Sequence, residues 1–347
     1  MTEPCKNGNG YREDEGCLKV SLPYGHLFKA EGEAVGGGEE LWKYTGLPYG
    51  MLNRREQDIG TPEGDGNGKS YVLSVSSDEL KGLKYPTGDI SRLILSIRAA
   101  QDVPGDVTRY GLGITGKDLL TDRLGLDIYE KPSVRRRFSL RGPAEDSAAV
   151  EEKWFRRELK DRGIYPIENL EYRPAHLVFA FMEELDIRNV KDVKTSLRIP
   201  VHGSRITIAS EYPALAKLAM RHLAKMSNFD ILPTTGKTES YALARDVDGI
   251  VEVVESGNTM YANGLRPVRP LVMDVTTPYF VVNGKTYDNP AFKDFIKELR
   301  RRLSEGREYL RDRMPELFED KLNPSIFGDP EKDSDSEELC EELYERE

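Results

Sequence analysis

The fold class this chain predicts is α/β, built as two lobes, and three observations carry that expectation. At 347 residues it exceeds one simple core and fits two packed α/β units. Short β-branched or apolar runs alternate with helical patterns, as in a mostly parallel sheet covered by helices. A second series of such runs begins near Leu177, so one sheet does not absorb them all.

The first lobe opens on Leu18 to Leu22, an alternating strand that runs into a turn at Pro23 and Gly25. Residues 31–69 are crowded with glycine and read as loop, interrupted by a helix around Glu39 to Lys43. Tyr71 to Ser76 and Leu93 to Ile97 are strand-like, and Gly111 to Gly116 is a compact apolar strand ending in a glycine turn. Ala144 to Arg162 has helical periodicity, with Val150, Trp154 and Leu159 as its buried stripe and cations toward its C-terminal end, where they suit the dipole. Leu177 to Phe181 and Arg205 to Ala209 read as strands of the second lobe. Ala214 to Met226 reads as a helix whose His222 lies on the packed face. Leu271 to Val275 and Tyr279 to Val282 are strands again, and Pro290 to Arg313 is a long helix with Phe292, Phe295, Ile296, Leu299 and Leu303 inward.

Charge and cysteine content narrow the function classes. The net charge is -10, but residues 329–347 hold ten acidic and two basic residues, so the rest is near neutral. A nucleic-acid partner, which needs a basic face, is not expected. Cys5, Cys17 and Cys340 lack the close spacing of a metal site, so no resident metal is expected either. No run approaches the roughly 20 apolar residues of a membrane span, and the start MTEPCKNGNG has no signal-peptide pattern, so a cytoplasmic location is expected. Residues 1–16 and 329–347 are expected to be flexible termini.

The segment richest in chemistry is Gly236 to Leu265, GKTESYALARDVDGIVEVVESGNTMYANGL. Helical spacing would place Asp248 and Glu252 one turn apart on one face, where carboxylates accept hydrogen bonds from vicinal ribose hydroxyls. In Ser256-Gly257-Asn258-Thr259 the glycine lets the backbone turn and approach an anion, while two hydroxyls donate to it, which makes a phosphate nest. Thr259 reads as the N-cap of a short helix through Ala262. By itself such a turn is a common capped turn.

The whole string resembles the catalytic subunit of the ATP phosphoribosyltransferase family, with Glu239, Asp248, Ser256 to Thr259 and Ala262-Asn263-Gly264-Leu265 at matching positions and an acid at Glu252. Leu22 to Leu27, Arg98 with Gln101 to Pro104, Leu112 to Gly116 and Ile208 to Pro213 are similar to further family landmarks in the same order. The resemblance implies a type II periplasmic-binding-protein-like fold with a mixed sheet in each lobe. Residues 17–116 and 267–315 would form lobe I, and 117–266 lobe II with the sugar-phosphate site. It implies transfer of a phosphoribosyl group from phosphoribosyl pyrophosphate to N1 of ATP, the first step of histidine biosynthesis. Glu239 and Asp248 would serve the ribose, and Ser256, Gly257, Asn258, Thr259 and Glu252 would hold the sugar phosphate. Gly25, His26, Arg98, Gly116 and Lys117 would lie toward nucleotide and pyrophosphate. Mg²⁺ would ride mainly on the pyrophosphate. The chain is similar to the short form, which implies a homo-oligomer and a regulatory partner subunit related to histidyl-tRNA synthetase.

The sequence departs from the family at Tyr24 and His26, where a Lys and an Arg are usual, and at Gly111, where an Asp is customary. The sugar-phosphate half is therefore the better matched. Three rival readings follow: an inactive or regulatory paralogue, a phosphoribosyltransferase with another acceptor, and a non-catalytic two-lobed ligand-binding protein.

Overall fold

A computed structural model describes residues 16–24, 37–47, 71–126, 128, 145–190, 192–193 and 205–327. In chain order its strands are β1 Cys17–Tyr24, β2 Tyr71–Ser76, β3 Arg92–Ala99, β4 Gly111–Gly116, β5 Ile164–Asn169, β6 Ala175–Met182, β7 Ile206–Ser210, β8 Phe229–Pro233, β9 Gly249–Val254, β10 Leu265–Thr276 and β11 Pro278–Asn283. The α-helices are α1 Gly37–Thr45, α2 Ser77–Gly82, α3 Val103–Tyr110, α4 Lys117–Arg123, α5 Glu145–Asp161, α6 Pro213–His222, α7 Thr238–Leu243, α8 Asn258–Ala262, α9 Gly284–Asp288 and α10 Pro290–Arg313.

The chain divides into two compact units. One comprises residues 1–117, 156–173 and 277–319, the other 118–155, 174–276 and 320–347. The first carries a sheet of order β2-β3-β1-β4-β11-β5 and the second a sheet of order β10-β6-β9-β7-β8. Both repeat one scheme. Three parallel strands sit with the chain-earliest in the middle, β3-β1-β4 and β8-β7-β9, and an antiparallel strand is added beside the third, β11 on β4 and β6 on β9. The α/β class with a mixed sheet in each unit is the one expected.

Two boundaries differ from expectation. Residues 164–169 pair with β11 and so join the first unit, although they fall inside the stretch expected for the second lobe. Residues 267–276, expected in the first, belong to β10, which pairs antiparallel with β6 in the second. Sequence order could not show this, because each segment is captured by a partner strand remote along the chain.

Each core follows from its pattern. In the first unit Leu18, Val20 and Leu22 of β1 and Leu93, Leu95 and Ile97 of β3 alternate inward, and the α10 stripe of Phe295, Leu299 and Leu303 packs with them as expected. α10 starts cleanly because Asn289 accepts the Ala291 N–H and Pro290 has no donor to lose. In the second unit the α6 N-terminus is capped from afar. The Asp122 carboxylate accepts the Ala214 and Leu215 N–H groups at 2.8 and 2.9 Å. That helix ends at His222, four residues short of the expected Met226, and His222 is half-buried. Among the described residues no helix is long and apolar enough to cross a membrane.

Candidate functional site

The strongest correction concerns Gly249 to Val254, expected as a helix and observed as strand β9, parallel to β7 and antiparallel to β6. Its glycine start and β-branched run of Ile, Val, Val and Val favour the extended chain, and helical spacing of two acids was the weaker signal. Asp248 and Glu252 therefore do not share a helical face. Asp248 precedes β9 at its amino end, is 1% exposed, and accepts the Thr207 N–H at 2.8 Å while its own N–H donates to the Thr207 carbonyl. The Ser256 to Thr259 loop leaves the other end of the same strand, roughly 20 Å away at about 3.3 Å per residue. Asp248 thus locks β9 to β7 and does not reach a ligand held by that loop. Asp248→Ala leaves the part-buried Thr207 N–H without its acceptor. It is expected to cost about 1–3 kcal/mol of stability in denaturant unfolding, with phosphoribosyl pyrophosphate affinity of the folded protein unchanged in calorimetry.

Ligands of open α/β sheets bind outside the carboxyl ends of the parallel strands. In the second unit those ends carry three loops: Ser210 to Tyr212 after β7, Thr234 to Lys237 after β8, and Glu255 to Gly257 after β9. Ser210 ties them together. Its hydroxyl donates to the Val251 carbonyl at 2.7 Å and accepts the Tyr212 N–H at 2.9 Å, while its carbonyl accepts the Thr234 N–H at 3.0 Å.

Glu252 sits at the centre of this edge. Burial pushes its carboxyl up to about 7; the Thr238 hydroxyl and the Val253 N–H pull it down, and the nearby Glu211 and Glu239 carboxylates push it further up. Thr238, fully buried at the start of α7, is also 2.9 Å from the Thr234 hydroxyl, so the hydroxyl bonded to Glu252 is itself held by a second one. Glu211 approaches the loop after β8: a Cβ added at Gly236 would lie 3.4 Å from its Oε1. Beside it the Tyr212 hydroxyl donates to Asp118, which burial raises and which also accepts the Thr276 hydroxyl at 2.6 Å.

The Ser256 to Thr259 segment makes the expected glycine turn with one change. Gly257 has φ +76°, in the left-handed region that a glycine adopts without penalty, and is itself the N-cap of α8. Thr259, expected as N-cap, lies inside the first turn of α8 and makes no capping bond. Ser256 Oγ accepts the Asn258 N–H at 3.3 Å, and the Asn258 and Thr259 side chains are exposed.

The remaining candidates lie elsewhere. In the first unit Arg98 and Gly116 stand at the carboxyl ends of β3 and β4, and Lys117 is buried with its N–H donating to the Thr277 carbonyl. Gly25 and His26 lie outside the described residues. Gly111 has a packing reason, since a Cβ there would lie 2.4 Å from the Lys19 carbonyl oxygen, which excludes the aspartate customary in the family.

Sequence reasoning missed Glu211, Tyr212 and Thr238. The signal that could have found them is their place just after strands and before helices, once β9 is read as a strand.

Fold and site together define an α/β protein with a glycine loop and a carboxylate cluster at the carboxyl edge of the parallel strands of one mixed sheet. A family model described as HisG, ATP phosphoribosyltransferase, matches residues 99–305, and the chain belongs to that family. An ATP phosphoribosyltransferase of Neisseria gonorrhoeae is 40% identical over 81 residues, 23% of this chain and 35% of that protein. One of Leptothrix cholodnii is 27% identical over 206 residues, 58% of this chain and 73% of that protein. The solved ATP phosphoribosyl transferase (HisG:HisZ) complex from Thermotoga maritima is 19% identical with a TM-score of 0.47, covering 84% of this chain and 98% of that one. Against the Neisseria protein and a Methanococcus maripaludis relative, the matched stretch spans about a third of the relative's length, 35% and 36%.

Proposed function

We propose that the chain transfers a phosphoribosyl group from phosphoribosyl pyrophosphate to N1 of ATP, releasing pyrophosphate in the first step of histidine biosynthesis. The observation that carries this reading is the pairing, at one sheet edge, of the Ser256 to Thr259 loop with the half-buried Glu252 carboxyl two residues upstream of the end of β9. Backbone N–H groups and the hydroxyls of Ser256 and Thr259 hold the 5′-phosphate. Glu252 takes the ribose hydroxyls, the role expected of Asp248, and Glu239 assists at its side. In the reaction the adenine N1 lone pair forms the bond to ribose C1 as the C1–O bond breaks and its electron pair leaves with pyrophosphate. The ribose gains oxocarbenium character on the way, and ionised carboxylates nearby favour that positive charge. Alignment supplies much of the remainder.

Mg²⁺ enters this scheme as part of the substrate. Among the described residues no group of three or more His, Cys, Asp or Glu has the geometry to hold a metal ion. Yet Glu211, Glu239 and Glu252 crowd negative charge that a cation arriving on the pyrophosphate relieves. Arg98, Gly116 and Lys117 of the first unit, with Gly25 and His26, remain assigned to nucleotide and pyrophosphate. A cytoplasmic homo-oligomer working with a regulatory subunit related to histidyl-tRNA synthetase completes the proposal.

The test is turnover with ATP, phosphoribosyl pyrophosphate and Mg²⁺, followed by pyrophosphate release and product absorbance, with and without such a subunit. Release with ATP supports the reading. Release only with another base moves the acceptor, and no release under either condition favours the inactive-paralogue reading.

A further inference from the structure

Beyond α10 the chain returns to the second unit. Residues 320–327, which end in the 3-10 turn Pro324–Phe327 and lie outside the family match at 99–305, run along the back of the anion loop. The Asn323 N–H donates to the Ser256 carbonyl at 3.2 Å. Ile326 is 1% exposed and belongs to the apolar cluster of Met260, Leu265 and Leu271 beneath α8. Its Cδ1 fills the space where a Cβ at Gly257 would stand, 2.4 Å from that position. The segment is held at both ends. His176 Nε2 lies 2.9 Å from both carboxylate oxygens of Asp320, and the Arg269 guanidinium stacks over the Phe327 ring at 4.5 Å. Asn323 Oδ1 accepts the Ser325 N–H and hydroxyl, which fixes the turn between.

The loop it touches has little of its own to hold it. α8 is five residues long, its N-cap glycine makes no side-chain bond, and Asn258 and Thr259 face outward. A nest of N–H groups binds an anion well only if its backbone is already in the binding conformation.

We propose that residues 320–327 form a strap that sets the conformation of the Ser256 to Thr259 loop from behind, with Ile326 as its positioning residue. Phosphate recognition then depends on a segment outside the family core. This rests on the reading of the loop as the 5′-phosphate site, and the experiment separates the two.

Ribose 5-phosphate and phosphoribosyl pyrophosphate with Mg²⁺ are titrated calorimetrically into the full chain and into Thr259→Ala, Ile326→Ala, Ile326→Val and the Thr259→Ala/Ile326→Ala pair. The strap predicts about a tenfold loss of ribose 5-phosphate affinity in Ile326→Ala, an intermediate loss in Ile326→Val, which keeps both γ carbons but lacks Cδ1, and a double variant clearly better than the product of the single losses. It also predicts that KM for phosphoribosyl pyrophosphate rises more than kcat falls. If Ile326→Ala does not fold, Asp320→Asn at the half-exposed start of the strap takes its place, with a smaller loss of the same kind. Weakened binding in Thr259→Ala beside wild-type affinity in the folded strap variant overturns the strap alone, as does full multiplicativity. Wild-type affinity in Thr259→Ala overturns the loop reading and the strap with it.

Discussion

Gly257→Ala is expected to cost the protein both stability and sugar-phosphate binding. The residue has φ +76°, where a Cβ carries a penalty of about 1 kcal/mol. The new methyl would also stand 2.4 Å from Ile326 Cδ1, and Ile326 is 1% exposed within the apolar cluster that includes Met260, Leu265 and Leu271. Overpacking of this kind adds about 1–3 kcal/mol, and the strain is relieved only by moving the loop or the segment behind it. Denaturant unfolding checks the first effect, and a fall in phosphoribosyl pyrophosphate affinity of tenfold or more by calorimetry checks the second. In an Ile326→Ala background the Cδ1, Cγ1 and Cγ2 atoms nearest that methyl are gone, so the stability cost of the same substitution should shrink toward the backbone penalty. An undiminished cost there would show that the clash is not with Ile326.

Glu252→Gln is expected to remove most turnover while making the protein more stable. Its carboxyl titrates near 4.5 in the unfolded chain and near 7 when folded. Between those values the unfolded state has lost a proton that the folded state retains, so wild-type stability falls as pH rises from about 4.5 through 7. Glutamine removes the penalty. The variant should gain up to about 3 kcal/mol over wild type above pH 7, and the gain should vanish below about pH 4.5. Function runs the other way, because ribose hydroxyls and developing positive charge both favour the ionised carboxylate. The kcat/KM profile, which reports the free enzyme, should rise through about pH 7 in wild type and lose that limb in Glu252→Gln. Thr238→Val removes the hydroxyl that pulls the Glu252 carboxyl down, so its limb should move to higher pH, and Thr238→Ser should restore it. A limb unmoved in Thr238→Val would detach that hydroxyl from Glu252.

The long and strongly periodic elements were legible in the sequence. α10 runs over the residues its stripe predicts, β1 follows from alternation, β2 and β3 from short β-branched or apolar runs, and β4 from an apolar run ending in a glycine turn. The glycine turn of Ser256 to Thr259 was legible too, since a glycine between two hydroxyl residues needs little tertiary context. β9 was not. Two acids four residues apart suggested a helix, whereas a β-branched run between β6 and β7 is stabilised by partners far away in sequence. With β9 a strand, Glu252 near its carboxyl end shares the loop's edge and Asp248 before its amino end does not, so the proposed ribose contact passes from Asp248 to Glu252. Glu211 and Thr238 were hidden for the same reason, since their meeting with Glu252 depends on three strands being in register. The 320–327 segment gave no signal, because its few apolar residues acquire meaning only where they land.

In the proposed function the Ser256 to Thr259 loop and Glu252, at the carboxyl edge of β9, hold phosphoribosyl pyrophosphate, and Asp248 at the amino edge does not. Calorimetric titration of phosphoribosyl pyrophosphate with Mg²⁺ into Thr259→Ala, Glu252→Gln and Asp248→Asn tests it in one series. Affinity is expected to fall tenfold or more in the first two and to stay unchanged in the third. Reduced affinity in Asp248→Asn with the other two unchanged would contradict it.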